Sequence, residues 1–330
     1  MKILLERSGL IESVHTVHVA AVDAGGRLLA RSGDPGLVTF LRSAAKPFQA
    51  LPLVEEGVAA RFRLTTEELA VACASHGGEP LHLAVVRSIL AKAGVPEEAF
   101  ECGAHLPLHL ESAHALLRAG RKAAPIHNNC SGKHAGMLAL ARSKGWPLEG
   151  YRLAEHPVQE RMLAEVARWT GVSSEQIGVG TDGCGVACFS LSIRAVAFAF
   201  ARFAAAAARN EPGPETIARA MGAHPFMVAG TGRLCSELIE ATKGRILAKV
   251  GAEGVYGALD RERSIGIALK VEDGARRACE VALLVSLMEL GLLTPDEIGL
   301  LEDRWHRVVP NTRGEPVARL RAEGHLEGSA

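Results

Sequence analysis

Apolar and polar positions alternate through VHTVHVAAVDAGGRLLARSGD on either side of Ala24-Gly25-Gly26. That two-residue period predicts a strand hairpin, with Asp23 and the glycines making the turn. The next stretch, RSAAKPFQALPLVEEGVA, reads as a helix starting near Ser43. Pro47 is tolerated there because first-turn N–H groups lack intrahelical partners. From about Leu64 to Met221 the period is helical in TTEELAVACAS, EPLHLAVVRSILAKAG, LESAHALLRAG, GKHAGMLALARSKG and HPVQERMLAEVARWTG. Several of these open on Thr, Glu or Pro and stop at Gly. GVACFSLSIRAVAFAFARFAAAAAR is expected to be a buried helix or helix pair. Then GRILAKVGAEGVYGALDRERSIGIALKVEDG predicts three short strands, and ARRACEVALLVSLMELGLL a closing amphipathic helix. From about Pro316 the chain turns polar and is expected to be loose.

Strands, helices, then strands with a packing helix predict an α+β sandwich whose terminal strands share one antiparallel sheet. The expected division is a sheet lobe from about residues 5–60 and 240–315 and a helical lobe from about 64–221, in a single catalytic domain of 330 residues. Composition narrows the choice of partner. Lys plus Arg and Asp plus Glu are both 37, so neither nucleic acid nor a membrane surface would be drawn by net charge. Arg194 and Arg202 interrupt the most apolar segment, which leaves no uncharged span of the ~18–20 residues a membrane helix needs. The start, MKILLERSGL, has too short an apolar run for a secretory signal. Seven scattered cysteines then fit reduced thiols in a cytoplasmic protein.

Five constellations carry candidate chemistry. Ser43-Ala-Ala-Lys46 puts a hydroxyl and an amine three residues apart, on one face of a helix start. With an ordinary pKa of ~10.4, such a lysine must be held neutral by burial or positive charge to act as a base, and Arg42 is one source of charge. An N-cap serine followed by a surface lysine is the plain alternative. Lys249-Val-Gly251, in a late strand, resembles the K-[ST]-G element of serine β-lactamases, or it is a solvated edge residue. Ser75-His76-Gly77-Gly78-Glu79 offers polar handles on a flexible turn, though a helix stop would look the same. In HNNCSGKHAG and TDGCG, Cys130 and Cys184 with a nitrogen from Lys133 or His134 would make a zinc site with one open position. Spacing alone favours His134, because a lysine must first lose its proton, and two buried thiols that bind nothing also explain the pair. Finally, the turn around Gly230 in AGTGRLC could hold a carboxylate through its N–H groups and Arg233.

Taken in order, RSAAKP, ASHGGE, HNNCSGKHAGML, TDGCG, GTGRLCSEL and AKVGAEGVY resemble the rhizobial-type L-asparaginase II family, over about residues 5–315. The resemblance implies a fold similar to the serine β-lactamases and glutaminases, a homodimer, and hydrolysis of L-asparagine to L-aspartate and ammonia. It implies two Ser–Lys tandems, Ser43 with Lys46 and Ser75 with Lys249. It also implies a zinc ion held by Cys130, Lys133 and Cys184, which replaces the spacing-based choice of His134. Asp182 and Cys235 fall where contacts near the substrate are expected. Arg42, His76, Glu79, His134 and Gly230 complete the expected pocket. On this reading Ser43 attacks the side-chain amide with Lys46 as base, while Ser75 and Lys249 relay protons. Glutaminase, another β-lactamase-like amidase and a non-catalytic zinc or thiol protein are the alternatives.

Overall fold

The hairpin forms where alternation places it. In the computed structural model, which describes residues 1–328, β1 (Lys2–Arg7) and β2 (Leu10–Asp23) are antiparallel, and β2 returns as β3 (Leu28–Ser32). Asp23 Oδ1 accepts the N–H groups of Gly25 and Arg27, the local bond that suits aspartate to turns. β4 (Val38–Phe40), β5 (Gly178–Thr181) and β6 (Ala187–Ser192) make a three-stranded sheet in the order β4-β6-β5. β7 (Ile246–Val250), β8 (Val255–Asp260) and β9 (Ile265–Val271) are the three late strands. β10 (Val308–Pro310), β11 (Pro316–Glu323) and β12 (Glu327–Gly328) follow. The larger sheet has nine strands, running β10-β11-β1-β2-β9-β8-β7 with β3 bonded to β2 and β12. All its pairings are antiparallel, so the two ends of the chain share it as expected.

Every residue of β8 is buried. Side chains alternate across a strand, so both faces must be covered. The helices Ile193–Ala208 and Arg276–Glu289 both pack against β2, β8 and β9. The first approaches so closely that a Cβ on Gly266 would meet the Ala197 carbonyl and one on Gly257 the Phe200 ring. Phe48 packs edge-on to Phe200 and Phe203, with ring centroids 5.0 and 5.8 Å away. Burying one such ring is worth about 1.5–3 kcal/mol, and it fixes the short helix Lys46–Gln49 against the sheet layer.

Three expectations are corrected. ACFSLS, assigned to a helix, is strand β6, and Ser192 then caps Ile193–Ala208 by accepting the Ala195 N–H. A short apolar run has no period of its own, and pairing with β4 and β5 decides its state. Ser43 lies in a 3-10 turn, Arg42–Ala45, ahead of the α-helix that begins at Lys46. Residues 316–323 are not loose: β11 pairs with β1, burying Ala318 and Leu320 while Arg319 and Arg321 reach Glu6. Residues 329–330 of that tail lie outside the described residues. No helix among the described residues is long and apolar enough to cross a membrane.

Candidate active site

Three segments converge beside β7. The turn Arg42–Ala45 packs on β7 and β8 and carries Lys46 inward. Ser75 follows the helix Thr66–Ala72, whose start is fixed by the reciprocal Thr65–Glu68 capping box. Its N–H donates to the Val228 carbonyl at 3.0 Å, and that of His76 to Asn129 at 3.1 Å. Lys249 extends from β7 itself.

The side chains meet at Ser75. Its Oγ lies 3.0 Å from Lys46 Nζ and 2.8 Å from Lys249 Nζ. Lys46 also donates to the Ala74 carbonyl and to Cys130 Sγ, which uses all three of its donors. Both lysines and Ser75 are buried. Burial first, and the Lys46 charge second, lower the Lys249 pKa to about 7, since each disfavours a second ammonium. Ser43 Oγ has no hydrogen bond among the described residues and is partly exposed. The sequence pattern's direct Ser43–Lys46 contact is therefore absent here, while Lys46, Ser75 and Lys249 come together.

The thiol cluster adjoins this array through Lys46. Cys130 stands at the N-cap position of the helix Ser131–Lys144, and Gly132 allows that helix to touch the Val71 backbone, where a Cβ would overlap the carbonyl. Lys133 Nζ lies 3.1 Å from Cys184 Sγ, in the turn between β5 and β6. The Cys184 hydrogen bond, then the Lys46 and Lys133 charges acting against burial, hold Cys130 well below an ordinary thiol. Burial opposes the Lys133 ammonium, but Cys184, Cys130 and Asp182 outweigh it and raise its pKa. Among the described residues no group of three His, Cys, Asp or Glu could hold a metal. Two sulfurs and the Lys133 amine are thus the donors that converge. That set fits a zinc ion provided Lys133 and both thiols give up their protons.

Other expected residues divide by contact. Arg42 Nε donates to Asp182 Oδ1 at 2.8 Å, Nη2 lies in ion-pair contact with that oxygen at 2.8 Å, and Gly183 N–H reaches it at 2.7 Å. Arg42 is left-handed, at φ 49°, a conformation costing roughly 1–2 kcal/mol that the ion pair helps hold. His76 Nδ1 accepts the Gly78 N–H, so Nε2 carries the proton and donates to Ser131 Oγ at 2.9 Å. His134 Nδ1 takes the Tyr151 hydroxyl at 2.6 Å, and its buried Nε2 has no partner among the described residues. Tyr151 was not found from sequence, where nothing distinguishes it.

Glu79 has both carboxylate oxygens on Thr231, one on its N–H at 3.0 Å and one on its hydroxyl at 2.7 Å. Gly230 is left-handed at φ 103°, and a Cβ there would overlap Glu79 Oε1. Cys235 Sγ accepts the Val250 N–H at 3.3 Å and lies 3.0 Å from the Tyr256 hydroxyl, bracing β7 beside Lys249. All seven cysteines are buried and unpaired.

Solved structures with some likeness include Mglu in its native form in 4.3 M NaCl, at TM-score 0.38, 17% identity and 84% of this chain. Mglu in its L-glutamate binding form gives 0.37, 18% and 84%. A LovD6 mutant of simvastatin synthase from Aspergillus terreus gives 0.37 and 15% over 78% of this chain and 84% of its own. This chain spans about 61% and 60% of the two Mglu chains. At these TM-scores the likeness does not bear on function. No curated protein matches the chain significantly. The profile of L-asparaginase II matches residues 3–322, nearly the whole sequence, and the chain belongs to that family.

Proposed function

We propose that the protein is an L-asparagine amidohydrolase that works through a serine ester. The observation that carries this reading is the buried Lys46–Ser75–Lys249 array, in which burial and the neighbouring charge bring one amine's pKa down to about 7. Ser43 is the nucleophile. It is reachable from solvent, its oxygen is uncommitted, and it stands three residues before Lys46, at the junction of the 3-10 turn and the helix that Lys46 begins. Neutral Lys249 accepts a proton from Ser75 while Ser75 takes one from Lys46, which frees Lys46 to receive the Ser43 proton. Ser43 Oγ bonds to the amide carbon, the C–N bond breaks, and ammonia leaves with a proton returned by Lys46. Water then cleaves the β-aspartyl ester. Asp182 keeps Oδ2 clear of its three contacts and is suited to the substrate ammonium.

Zinc belongs to the same reading, held by Cys130, Lys133 and Cys184. When bound it would supply fixed positive charge and a rigid wall to the pocket. The reading includes a cytoplasmic homodimer, checked by light scattering and cell fractionation.

A second reading makes Ser75 the nucleophile, favoured by its bonds to both amines. Trapping separates the two. The protein is incubated with L-asparagine, quenched in acid and mapped by mass spectrometry. The ester is expected on Ser43, and Ser43→Ala should lose at least about 10⁴-fold in ammonia release. An ester on Ser75, with Ser43→Ala active, would overturn the assignment.

A further inference from the structure

Arg233 is a half-buried guanidinium with no hydrogen bond, ion pair or ring partner among the described residues. Comparable arginines here are paired: Arg42 with Asp182, Arg161 with Glu56 and Glu165, Arg245 with Asp260 and Glu297, Arg304 with Glu237. Leaving a desolvated charge uncompensated is costly, and a ligand of opposite charge removes that cost. Both flanks of Arg233 are fastened to the active site. On one side, Thr231 is clamped by Glu79, and Val228 receives the Ser75 N–H. On the other, Cys235 accepts the Val250 N–H next to Lys249. The position is therefore fixed beside the Ser75–Lys249 pair, and the charge acts on Lys249, His76 and His82. Burial, then Arg276, lowers the Arg233 pKa against the weaker pull of Glu280, which makes no ion pair with it, whereas those of Arg42, Arg161, Arg245 and Arg304 are raised by the carboxylates they bond.

We propose that Arg233 determines specificity by taking the α-carboxylate of the amino-acid amide substrate. The proposal rests on the amidohydrolase reading for its substrate, and on the unpartnered guanidinium for its site. An arginine presents two parallel N–H donors matched to a carboxylate, so the group sorts α-amino-acid amides from plain amides.

The test compares L-asparagine with 3-aminopropanamide, which lacks only the α-carboxylate. Arg233→Met should lose about 10- to 150-fold of the wild-type preference for L-asparagine in kcat/KM, the loss expected for a hydrogen bond to a charged group. Arg233→Lys should fall between. A ratio is read because a packing defect would lower both substrates alike. An unchanged preference in both variants would overturn the proposal. Calorimetric binding of L-aspartate reads the site without turnover and should be lost in Arg233→Met. If that loss occurs while wild-type protein releases no ammonia from L-asparagine, the amidohydrolase reading fails and the carboxylate site stands. If L-aspartate binds both proteins equally, the site fails and the reading stands.

Discussion

Lys133 and Lys249 are two fully buried amines on either side of Lys46, and burial pushes both toward the neutral form. They end in opposite states. Lys249 faces the Ser75 hydroxyl and the Lys46 amine and falls to about 7. Lys133 faces Cys184, Cys130 and Asp182 and is raised. At ~4 Å and an effective dielectric of ~20, one unit charge is worth about 4 kcal/mol, roughly three pKa units. A single neighbour can therefore match desolvation, and its sign decides the outcome. One buried cluster thus holds two amines of opposite tendency around one shared lysine, Lys46, which reaches Ser75 on one side and Cys130 on the other.

Of the two sides, breaking the amine side should have the larger effect. Lys249→Met removes the amine proposed as proton acceptor, and kcat/KM for ammonia release should fall about 10²- to 10⁴-fold, the usual contribution of a positioned base. Wild-type kcat/KM should rise with pH through about 7 as Lys249 loses its proton, and the variant's residual activity should lack that rise. A retained rise near 7 would assign it to another group.

The thiol side is tested by metal uptake. Lys133→Met removes one of the three proposed donors, and zinc affinity should fall at least about 100-fold, since even outer-shell changes cost 10- to 100-fold. Metal analysis after dialysis against graded chelator reads this without turnover. Because amine and thiol ligands bind deprotonated, wild-type affinity should also increase with pH. Equal metal content in both proteins would remove Lys133 from the site.

The ease of reading each region from sequence follows from how local its cause is. The hairpin at Asp23, the capped helix Thr66–Ala72 and the late strands carry their period and turn chemistry within a few residues. β6 and β11 do not. ACFSLS is a strand because β4 and β5 flank it, and in VARLRAE the buried Ala318 and Leu320 alternate with arginines that answer Glu6, some 313 residues earlier. The site divides similarly. Ser-x-x-Lys and the two cysteine motifs named Lys46, Cys130 and Cys184. The central position of Ser75 and the Glu79–Thr231 clamp arise from contacts between distant segments, which spacing does not encode. Arg233 was legible in its motif, but its want of a carboxylate partner among the described residues was not.

The smallest effect sharpens the comparison through stability. An unfolded Lys249 with its ordinary value of 10.5 stays protonated from pH 7 to about 10, whereas the folded one has released its proton above about 7. The unfolded state then binds more protons, so stability rises with pH across that window. Below pH 7 both states are protonated and Lys249 adds no slope. Cys130, lowered, adds a rise up to the ordinary thiol value of 9.0, and Cys184, raised, adds a fall beyond it. Wild type and Lys249→Met share both thiols, so the difference between the two melting temperatures isolates Lys249 together with its coupling to Cys130. That difference should move steadily in favour of wild type from pH 7 to 10. A flat difference would mean that the Lys249 amine keeps its proton throughout, and such an amine could not accept one from Ser75.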